Sequence, residues 1–225
     1  MKKVSLIFVI LTLLLSGCMM RPIRYETVPE IRQAYAASVP VVIKTGRAIG
    51  SGTIIYSEKN DKFVVLTAAH VVIATVQFNE WYVEYNKKII AMRPMKVDIK
   101  KDLALLVSLK ATEEKLPTIK IAKYRPKLGG TIWAIGSSWG DKKTVSRGVF
   151  GKVVYDKIRE RILYRVDAAA FYGSSGCGLF NSKQELVGVI VTGYMTHPVV
   201  AVPGGALGVG VGNIKLFLKG VLPQK

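Results

Sequence analysis

Residues Phe171–Phe180 read FYGSSGCGLF, a turn-rich stretch in which glycines flank a serine and an apolar segment follows. Glycines at this spacing let the chain turn sharply and direct two backbone N–H groups at one point beside Ser175, as an oxyanion hole beside a nucleophile requires. A flexible glycine-serine loop of a β protein has the same composition. Ser175 is therefore a candidate nucleophile, and this prediction depends on whether the chain also contains its partners, a catalytic base and an acid.

A histidine with small neighbours is the first such partner, in the run VLTAAHVV of Val65–Val72. A catalytic base has to lie at the end of a strand, where its ring reaches a cleft and small neighbours leave that space open. A lone histidine is more often an ordinary core or surface residue. His70 therefore counts only together with its flanking residues.

An acid directly before an apolar run is the second partner, in KDLALL of Lys101–Leu106. A carboxylate at the mouth of a buried strand can accept the second N–H of a histidine, which fixes the tautomer and stabilises the imidazolium. The alternative is an ordinary strand-edge acid, and Asp98 is a nearby competitor. Asp102 thus joins His70 and Ser175 as a candidate catalytic residue.

Short β-rich runs separated by turn residues fill the chain from Val39 onward. They predict strands over Val39–Thr45, Gly52–Ser57, Phe63–Thr67, Val76–Tyr85, Lys88–Asp98, Leu103–Ser108, Thr131–Ile135, Thr144–Tyr155, Ile162–Asp167, Gly178–Asn181, Leu186–Thr192 and Ala206–Val211. Short helices are predicted only near the ends, over Pro29–Ala37 and Asn213–Leu218. The pattern predicts an all-β fold of two six-stranded antiparallel β-barrels, over about residues 39–109 and 118–218, with Lys110–Pro117 as the link.

The three motifs resemble those of chymotrypsin-like serine proteases, in the chain order histidine, acid, serine that separates these enzymes from subtilisin and the α/β-hydrolases. TAAH and DLALL are similar to the family's histidine and acid motifs, whereas the region around Asp98 is not, so the resemblance favours Asp102. Further runs resemble the HtrA/Deg-type branch of trypsin-like proteases: Gly50–Ile55, Ala134–Gly136 with Trp139 and Gly140, Ser146–Val149, and Leu207–Val211 with Asn213.

This resemblance implies a protease domain over residues 39–225 that hydrolyses peptide bonds through an acyl-enzyme and needs no cofactor. It implies Ser175 as the nucleophile, His70 as the general base and Asp102 as the orienting acid, with the amides of Gly173 and Ser175 as the oxyanion hole. The substrate pocket is implied at Ala169, Ala170, Val191, Thr192 and Gly193. Since none of these is a carboxylate, we expect cleavage after small or medium apolar residues rather than after Lys or Arg.

Two residues beside the nucleophile depart from the HtrA pattern, which has Asn before it and Gly two residues after it; here they are Ser174 and Cys177. Ser175 holds the glycine-flanked position, but related viral enzymes use a cysteine nucleophile, so Cys177 stays a minor alternative. HtrA enzymes also carry C-terminal PDZ domains. Because the sequence stops at Lys225, we expect neither these domains nor activation through them.

The first residues have the layout of a secretory signal peptide, with Met1-Lys2-Lys3 before an apolar run, Val4–Leu15, that is too short for a comfortable transmembrane span. LSGC at Leu15–Cys18 resembles a bacterial lipobox. The resemblance implies cleavage after residue 17, a lipidated Cys18 and a tether with a short helix over residues 18–38. An ordinary signal peptide with an incidental cysteine is the alternative. The expected location is the cell envelope, and in a Gram-negative host the outer membrane facing the periplasm.

The formal net charge is +18, with 33 Lys and Arg against 15 Asp and Glu. Such a field attracts anionic envelope surfaces. No recognition helix or aromatic RNA-binding motif is present, so we expect no nucleic-acid partner. With only Cys18 and Cys177 no disulfide framework is expected, and His70 and His197 lack partners at metal-ligand spacing. Oligomeric state stays open.

The sequence leaves two functions of different classes open. One is a lipid-anchored endopeptidase that acts on polypeptides. The other is a protease-fold lipoprotein without turnover that binds envelope partners, since a fold does not guarantee its usual activity. The complete set of His70, Asp102 and Ser175 favours the enzyme, because a pure scaffold has no physical reason to keep it.

Overall fold

Two closed barrels of six antiparallel strands each form the molecule. The computed structural model describes residues 27–58, 60–74, 80–140, 143–197 and 200–221. The predicted all-β class, with two six-stranded antiparallel barrels, is confirmed. The predicted signal peptide and Cys18 lie outside the described residues.

The first barrel takes its strands from the N-terminal half. They are β1 (Ser38–Val42), β2 (Ala48–Tyr56), β3 (Val64–Thr67), β4 (Trp81–Tyr85), β5 (Lys88–Asp98) and β6 (Leu103–Ser108). Their order around the barrel is β1-β2-β3-β6-β5-β4, and the pair Val41–Val83 joins β1 to β4 and closes it. β3 and β6 read VVLT and LALLVS and are buried at every position. Since side chains alternate between the two faces of a strand, these two neighbouring strands are covered both inside the barrel and outside it.

The second barrel repeats this arrangement with the next six strands. They are β7 (Thr131–Gly136), β8 (Thr144–Asp156), β9 (Arg161–Val166), β10 (Gly178–Phe180), β11 (Leu186–His197) and β12 (Val200–Gly210). Their order is β10-β11-β12-β9-β8-β7, and the pair Leu179–Ala134 joins β10 to β7. Inside the barrel the rings of Phe150 and Tyr164 meet edge to face, with 5.2 Å between their centres.

Three short α-helices accompany the barrels in the part of the chain that the structure describes. They are α1 (Arg32–Ala37), which continues a 3-10 turn over Pro29–Ile31, α2 (Ala69–Ile73) and α3 (Val211–Leu218). α3 buries Ile214 and Phe217 in a core that also includes Leu105 of the first barrel and Val189 of the second. Because the two barrels share this core, their facing edges hold a fixed relation to one another.

Each predicted strand has a counterpart, although bounds differ: β1 ends at Val42 rather than Thr45, and β2 begins at Ala48 rather than Gly52. Three further differences concern the helices and the last hairpin. Helix α2 contradicts the prediction that helices occur only near the ends of the chain. Its five residues are too few to show a helical period in the sequence. The helix is stabilised by the indole Nε1 of Trp81, which donates to the carbonyl of Val72 at 3.1 Å. β11 and β12 form a longer hairpin than predicted, because their pairing continues through irregularities to His197 opposite Val200. Val211 opens α3 instead of ending the last strand.

A basic face lies on the second barrel along Lys120–Leu128. From residue 118 to residue 140 the chain contains no Asp or Glu. Tyr124 and Leu128 are 71% and 76% exposed between the cations of this segment. Arg125, Lys127, Leu128 and Lys152 border a shallow cavity of about 490 Å³ that also contacts Phe150.

Within the described residues, no helix combines the length and the apolar character needed to cross a membrane.

Candidate active site

The register between β3 and β6 brings His70 and Asp102 together. Thr67, the last residue of β3, lies opposite Ala104, the second residue of β6. Since the strands are antiparallel, the chain leaves β3 beside the point where it enters β6. Helix α2 then carries His70, and Asp102 stands directly before β6.

Asp102 binds His70 at both the backbone and the ring. Its Oδ1 accepts the His70 backbone N–H at 2.9 Å, and the ring nitrogen Nδ1 lies 3.0 Å from Oδ1 and 2.9 Å from Oδ2. Asp102 is 4% exposed, whereas the His70 side chain is 45% exposed. The carboxylate thus holds the ring from the inside and leaves Nε2 as the ring nitrogen available to a substrate.

The Asp102 carboxyl is held in its ionised form. Burial alone would raise its pKa, but hydrogen bonds from His70 outweigh that effect and the charge of Arg161 adds to them, so the pKa lies below its ordinary value. Asp102 has a φ of +59°, a left-handed conformation that aspartate adopts more readily than most residues. The competitor Asp98 instead accepts the backbone N–H of Lys101 at 2.8 Å and pairs with its ammonium.

Two consecutive turns carry Ser175. The N–H of Ser174 donates to the carbonyl of Phe171 at 2.9 Å, and the N–H of Cys177 donates to the carbonyl of Ser174 at 2.9 Å. The third positions are Gly173 and Gly176, with φ of +89° and +88°. A turn with positive φ at this position strongly favours glycine. The glycines that flank the serine in the sequence are therefore demanded by the backbone.

Only some of the backbone N–H groups around Ser175 have hydrogen-bond acceptors. The N–H of Gly176 donates to the carbonyl of Ile190 at 2.8 Å, in addition to the two turn bonds. Across the described residues, the N–H groups of Gly173 and Ser175 have no protein acceptor. These are the two donors that the sequence assigns to an oxyanion hole, and both are free to bind a negatively charged oxygen.

Ser51 on β2 joins the two barrels at this point. Its N–H donates to the carbonyl of Ser175 at 2.8 Å, and its hydroxyl donates to the carbonyl of Gly173 at 2.9 Å. Its own carbonyl accepts the Thr67 hydroxyl at 2.6 Å. A Cβ atom on Gly176 would lie 1.9 Å from the Ser51 carbonyl oxygen, so the two backbones approach this closely only with glycine there. The Ser175 turn is thereby fixed against the end of β3.

A pair of serines replaces the expected Asn before the nucleophile. The hydroxyls of Ser174 and Ser138 lie 2.8 Å apart, and the Ser174 hydroxyl accepts the backbone N–H of Phe171 at 2.9 Å. Both serines are buried. Ser174 therefore secures the turn from inside, and the departure from the HtrA pattern leaves the turn intact.

Cys177 faces the protein interior. It is 2% exposed, and its sulfur donates to the Ser51 hydroxyl at 3.3 Å. Burial raises the pKa of the thiol to about 11, so it is protonated at neutral pH. Because the thiolate is the nucleophilic form, the structure gives no support to Cys177 as the attacking residue.

An apolar cavity of about 210 Å³ lies behind Ser174. It is lined by Ala134, Ser138, Thr144, Val145, Ser146, Ala169, Phe171, Ser174, Cys177 and Ile190, none of them charged. Of the predicted pocket residues only Ala169 is in this wall; Ala170, Val191, Thr192 and Gly193 are not. Along β11 Ile190 takes the lining position, because neighbouring residues of a strand point to opposite faces.

Three functional candidates escape sequence reasoning: Ser51, Ser138 and Arg161. Ser51 lies in the Gly50–Ile55 run, where only its glycine neighbours hint at close backbone approach. Arg161 is one of 33 Lys and Arg residues, yet its guanidinium Nη1 lies 3.6 Å from Asp102 Oδ2. No cluster of three or more His, Cys, Asp or Glu suited to a metal ion occurs among the residues described.

Comparison with known proteins gives a consistent picture. The family model of the trypsin-like peptidase domain matches residues 50–189. A serine protease HtrA-like protein of Staphylococcus haemolyticus is 29% identical over 163 residues, covering 66% of this chain and 25% of the relative. A probable periplasmic serine endoprotease DegP-like protein of Pseudomonas putida is 30% identical over 151 residues, covering 65% and 29%. The chain thus matches less than a third of the length of these curated relatives.

Solved structures share the fold. A serine endoprotease from Yersinia pestis superposes with a TM-score of 0.67 at 23% identity, covering 86% of this chain and 65% of the other. The active form of the Rv3671c protease from M. tuberculosis gives a TM-score of 0.69 at 17% identity, covering 92% and 96%.

Two buried hydroxyls of β2 allow a matched test of how the Ser51 contacts stabilise the site. Ser51→Ala is expected to lower the free energy of unfolding by about 1–3 kcal/mol, because the carbonyl of Gly173 loses its donor in a buried place. Thr53 is also fully buried, but its hydroxyl has no hydrogen-bond partner in the described part of the chain. Thr53→Val should therefore change the stability by less than about 1 kcal/mol in either direction. Urea titrations of both variants make the comparison, and equal losses would refute it.

Proposed function

The chain belongs to the trypsin-like peptidase family, in its HtrA-type branch, and we propose that it is a serine endopeptidase acting on polypeptides. One juxtaposition carries the proposal. Ser51 ties the Ser175 turn, with its two unpaired amides, to the end of β3, which leads to the His70–Asp102 pair. A base oriented by a carboxylate and a nucleophile beside free donors are the parts that acyl transfer requires.

The reaction follows from these parts in two halves. The Ser175 hydroxyl attacks the carbonyl carbon of the scissile bond while its proton passes to His70 Nε2, and Asp102 stabilises the imidazolium through Nδ1. The carbonyl oxygen becomes an oxyanion that accepts the N–H groups of Gly173 and Ser175. When the tetrahedral intermediate collapses, the C–N bond breaks and His70 gives its proton to the leaving amine. Water then attacks the Ser175 ester with His70 as the base, releasing the acid and restoring the hydroxyl.

Active-site labelling tests this proposal. A fluorophosphonate probe is expected to label the folded wild-type chain, because His70 activates the Ser175 hydroxyl and fluoride leaves as the phosphorus–oxygen bond forms. Ser175→Ala should abolish labelling, and Ser182→Ala, which removes an exposed serine of the same barrel, should leave it unchanged. A folded wild-type chain that takes no label would favour a silent scaffold over an enzyme.

We propose that the residue before the scissile bond is small or medium-sized and apolar. The 210 Å³ cavity behind Ser174 supports this, because Ala134, Ala169 and Ile190 line it together with other uncharged residues. A pocket that holds Lys or Arg needs a carboxylate to balance the buried charge.

Cleavage of a peptide library tests the pocket. We expect Ala, Val and similar residues to dominate the position before the cut, and Lys and Arg to be cleaved at least about tenfold less well, which corresponds to about 1.4 kcal/mol of differential transition-state binding. Mass spectrometry of the fragments gives the preference. The Ser175→Ala chain is the blank, and a profile led by basic residues would contradict the proposal.

We propose further that Cys18 is lipidated and that the chain lies on the cell envelope, in a Gram-negative host on the outer membrane facing the periplasm. The start of the described chain supports a particular orientation. Gln33 Nε2 donates to the carbonyl of Thr118 at 2.9 Å, so α1 contacts the chain two residues before the basic face along Lys120–Leu128 begins. A chain tethered through its N-terminus then presents cations and exposed apolar side chains toward anionic headgroups, an attraction that salt screens.

Metabolic labelling with a palmitate analogue tests the anchor. The wild-type chain is expected to carry the label in the membrane fraction, because acyl chains contribute about 0.8 kcal/mol for each buried CH₂ group. Cys18→Ala should carry none. Cys177→Ala removes the only other cysteine of the chain and should stay labelled. Loss of label in Cys177→Ala, or its retention in Cys18→Ala, would overturn the assignment.

A further inference from the structure

Two turns from different barrels meet beside Asp102. One is the turn between β5 and β6, which ends at Asp102. The other is the turn between β8 and β9, at whose base Asp156 and Arg161 are paired across the two strands. Lys100 of the first turn forms an ion pair with Glu160 of the second. Arg161 adds a hydrogen bond from its Nη1 to the carbonyl of Lys101 at 3.2 Å. The second barrel is therefore bound, through an ion pair and a hydrogen bond, to the segment that carries the predicted catalytic acid.

Arg161 is the buried member of this contact. It is 5% exposed, and its Nη1 lies 3.6 Å from Asp102 Oδ2 while its Nε donates to Asp156 Oδ2 at 3.0 Å. A buried guanidinium is tolerated only when carboxylates and hydrogen bonds compensate for the lost hydration. Here the compensation comes from two acids at once, and one of them is Asp102.

We propose that Arg161 is a positioning residue of the active site, which fixes Asp102 from the opposite barrel and shares the Asp102 carboxylate with His70. The proposal rests on the proposed function. Its physical basis is that one carboxylate serves two cations. The negative charge of Asp102 that would stabilise a protonated imidazole is partly balanced by the guanidinium, so protonation of the ring gains less.

The other charged side chains around Asp102 and Arg161 come from both barrels. Arg159 lies 3.7 Å from Asp102 Oδ2, but its side chain is half-exposed, so solvent screens it. In the β5–β6 turn, Lys101 is paired with Asp98 and Lys100 with Glu160. These two cations are each matched by an acid outside the site.

Asp156 is the remaining group, and it acts on His70 through Arg161. Asp156 Oδ2 accepts a hydrogen bond from Arg161 Nε at 3.0 Å, and its negative charge partly cancels the positive charge of the guanidinium. Removing Arg161 and removing Asp156 should therefore change the proton affinity of the His70 ring in opposite directions. A purely structural role for Arg161 predicts no such pattern.

The pH dependence of kcat/KM shows in which direction each variant changes the protonation of His70. In Arg161→Met the acid limb, where His70 takes up a proton and activity falls, is expected to move to higher pH by about half to one pH unit. In Asp156→Asn it should move to lower pH. Arg161→Lys keeps the charge and should stay near the wild type, and Arg159→Met should move by less than about 0.3 unit because that charge is exposed.

Nuclear magnetic resonance separates this inference from the proposed function. The chain has two histidines, so His197→Gln leaves His70 as the single imidazole signal, and its titration can be followed without turnover. If Arg161→Met fails to fold, the double variant Arg161→Met with Asp156→Met removes both charges of the pair and should still shift the titration upward, because Arg161 is the nearer to Asp102.

The outcomes are distinct. A folded wild-type chain that takes no fluorophosphonate label refutes the endopeptidase proposal. A labelled wild type whose acid limb and His70 titration are the same in Arg161→Met and Asp156→Asn refutes the role of Arg161. Shifts of opposite sign in these two variants establish it.

Discussion

Contact between the two barrels at Ser51 is the constraint on which the active site depends. Through its N–H, hydroxyl and carbonyl, this one buried residue of β2 holds the Ser175 turn of the second barrel and the end of β3 in the first. The backbones approach so closely that Gly176 has no room for a side chain. The proposed nucleophile Ser175 on one barrel and the proposed base His70 on the other can work together only if their separation is fixed, since a misplacement of about 1 Å costs about a hundredfold in rate.

Charge is the second constraint. Asp102 and Arg161 are both buried, and each would destabilise the fold if it stood alone. They form an ion pair across the barrel interface, and Asp156 and the carbonyl of Lys101 accept hydrogen bonds from Arg161 Nε and Nη1. The network that makes burial of an acid tolerable is thus the same network that orients a histidine, so stability and the chemistry of the site are coupled.

The two departures from the HtrA pattern, Ser174 and Cys177, are accommodated by contacts within the Ser175 turn and next to it. Ser174 in place of Asn keeps the turn by bonding to Ser138 and to the amide of Phe171. Cys177 in place of Gly turns inward and packs with Ser51, where burial keeps its thiol protonated. Both substitutions change the interior of the turn, while the amides of Gly173 and Ser175 have no protein acceptor among the described residues, which is the property that binding of an oxyanion needs.

The sequence by itself determined the twelve strands, their division into two barrels and the three residues nominated for catalysis, because hydrophobic alternation, turn glycines and short motifs are local signals. Helix α2 was not predicted, because it is too short to show a helical period. The substrate-pocket residues stay a prediction; along β11 the cavity behind Ser174 is lined by Ile190 rather than by Val191, because neighbouring residues of a strand point to opposite faces. Arg161 has no local signal, and Ser51 has only the hint that its two glycine neighbours give. The serine hydroxyl and the guanidinium acquire their roles through partners about 120 and 60 residues away in the chain. Which hydroxyl, and which charge, meets the site is decided when the barrels pack together, since that alone sets the distances on which hydrogen bonds and ion pairs depend.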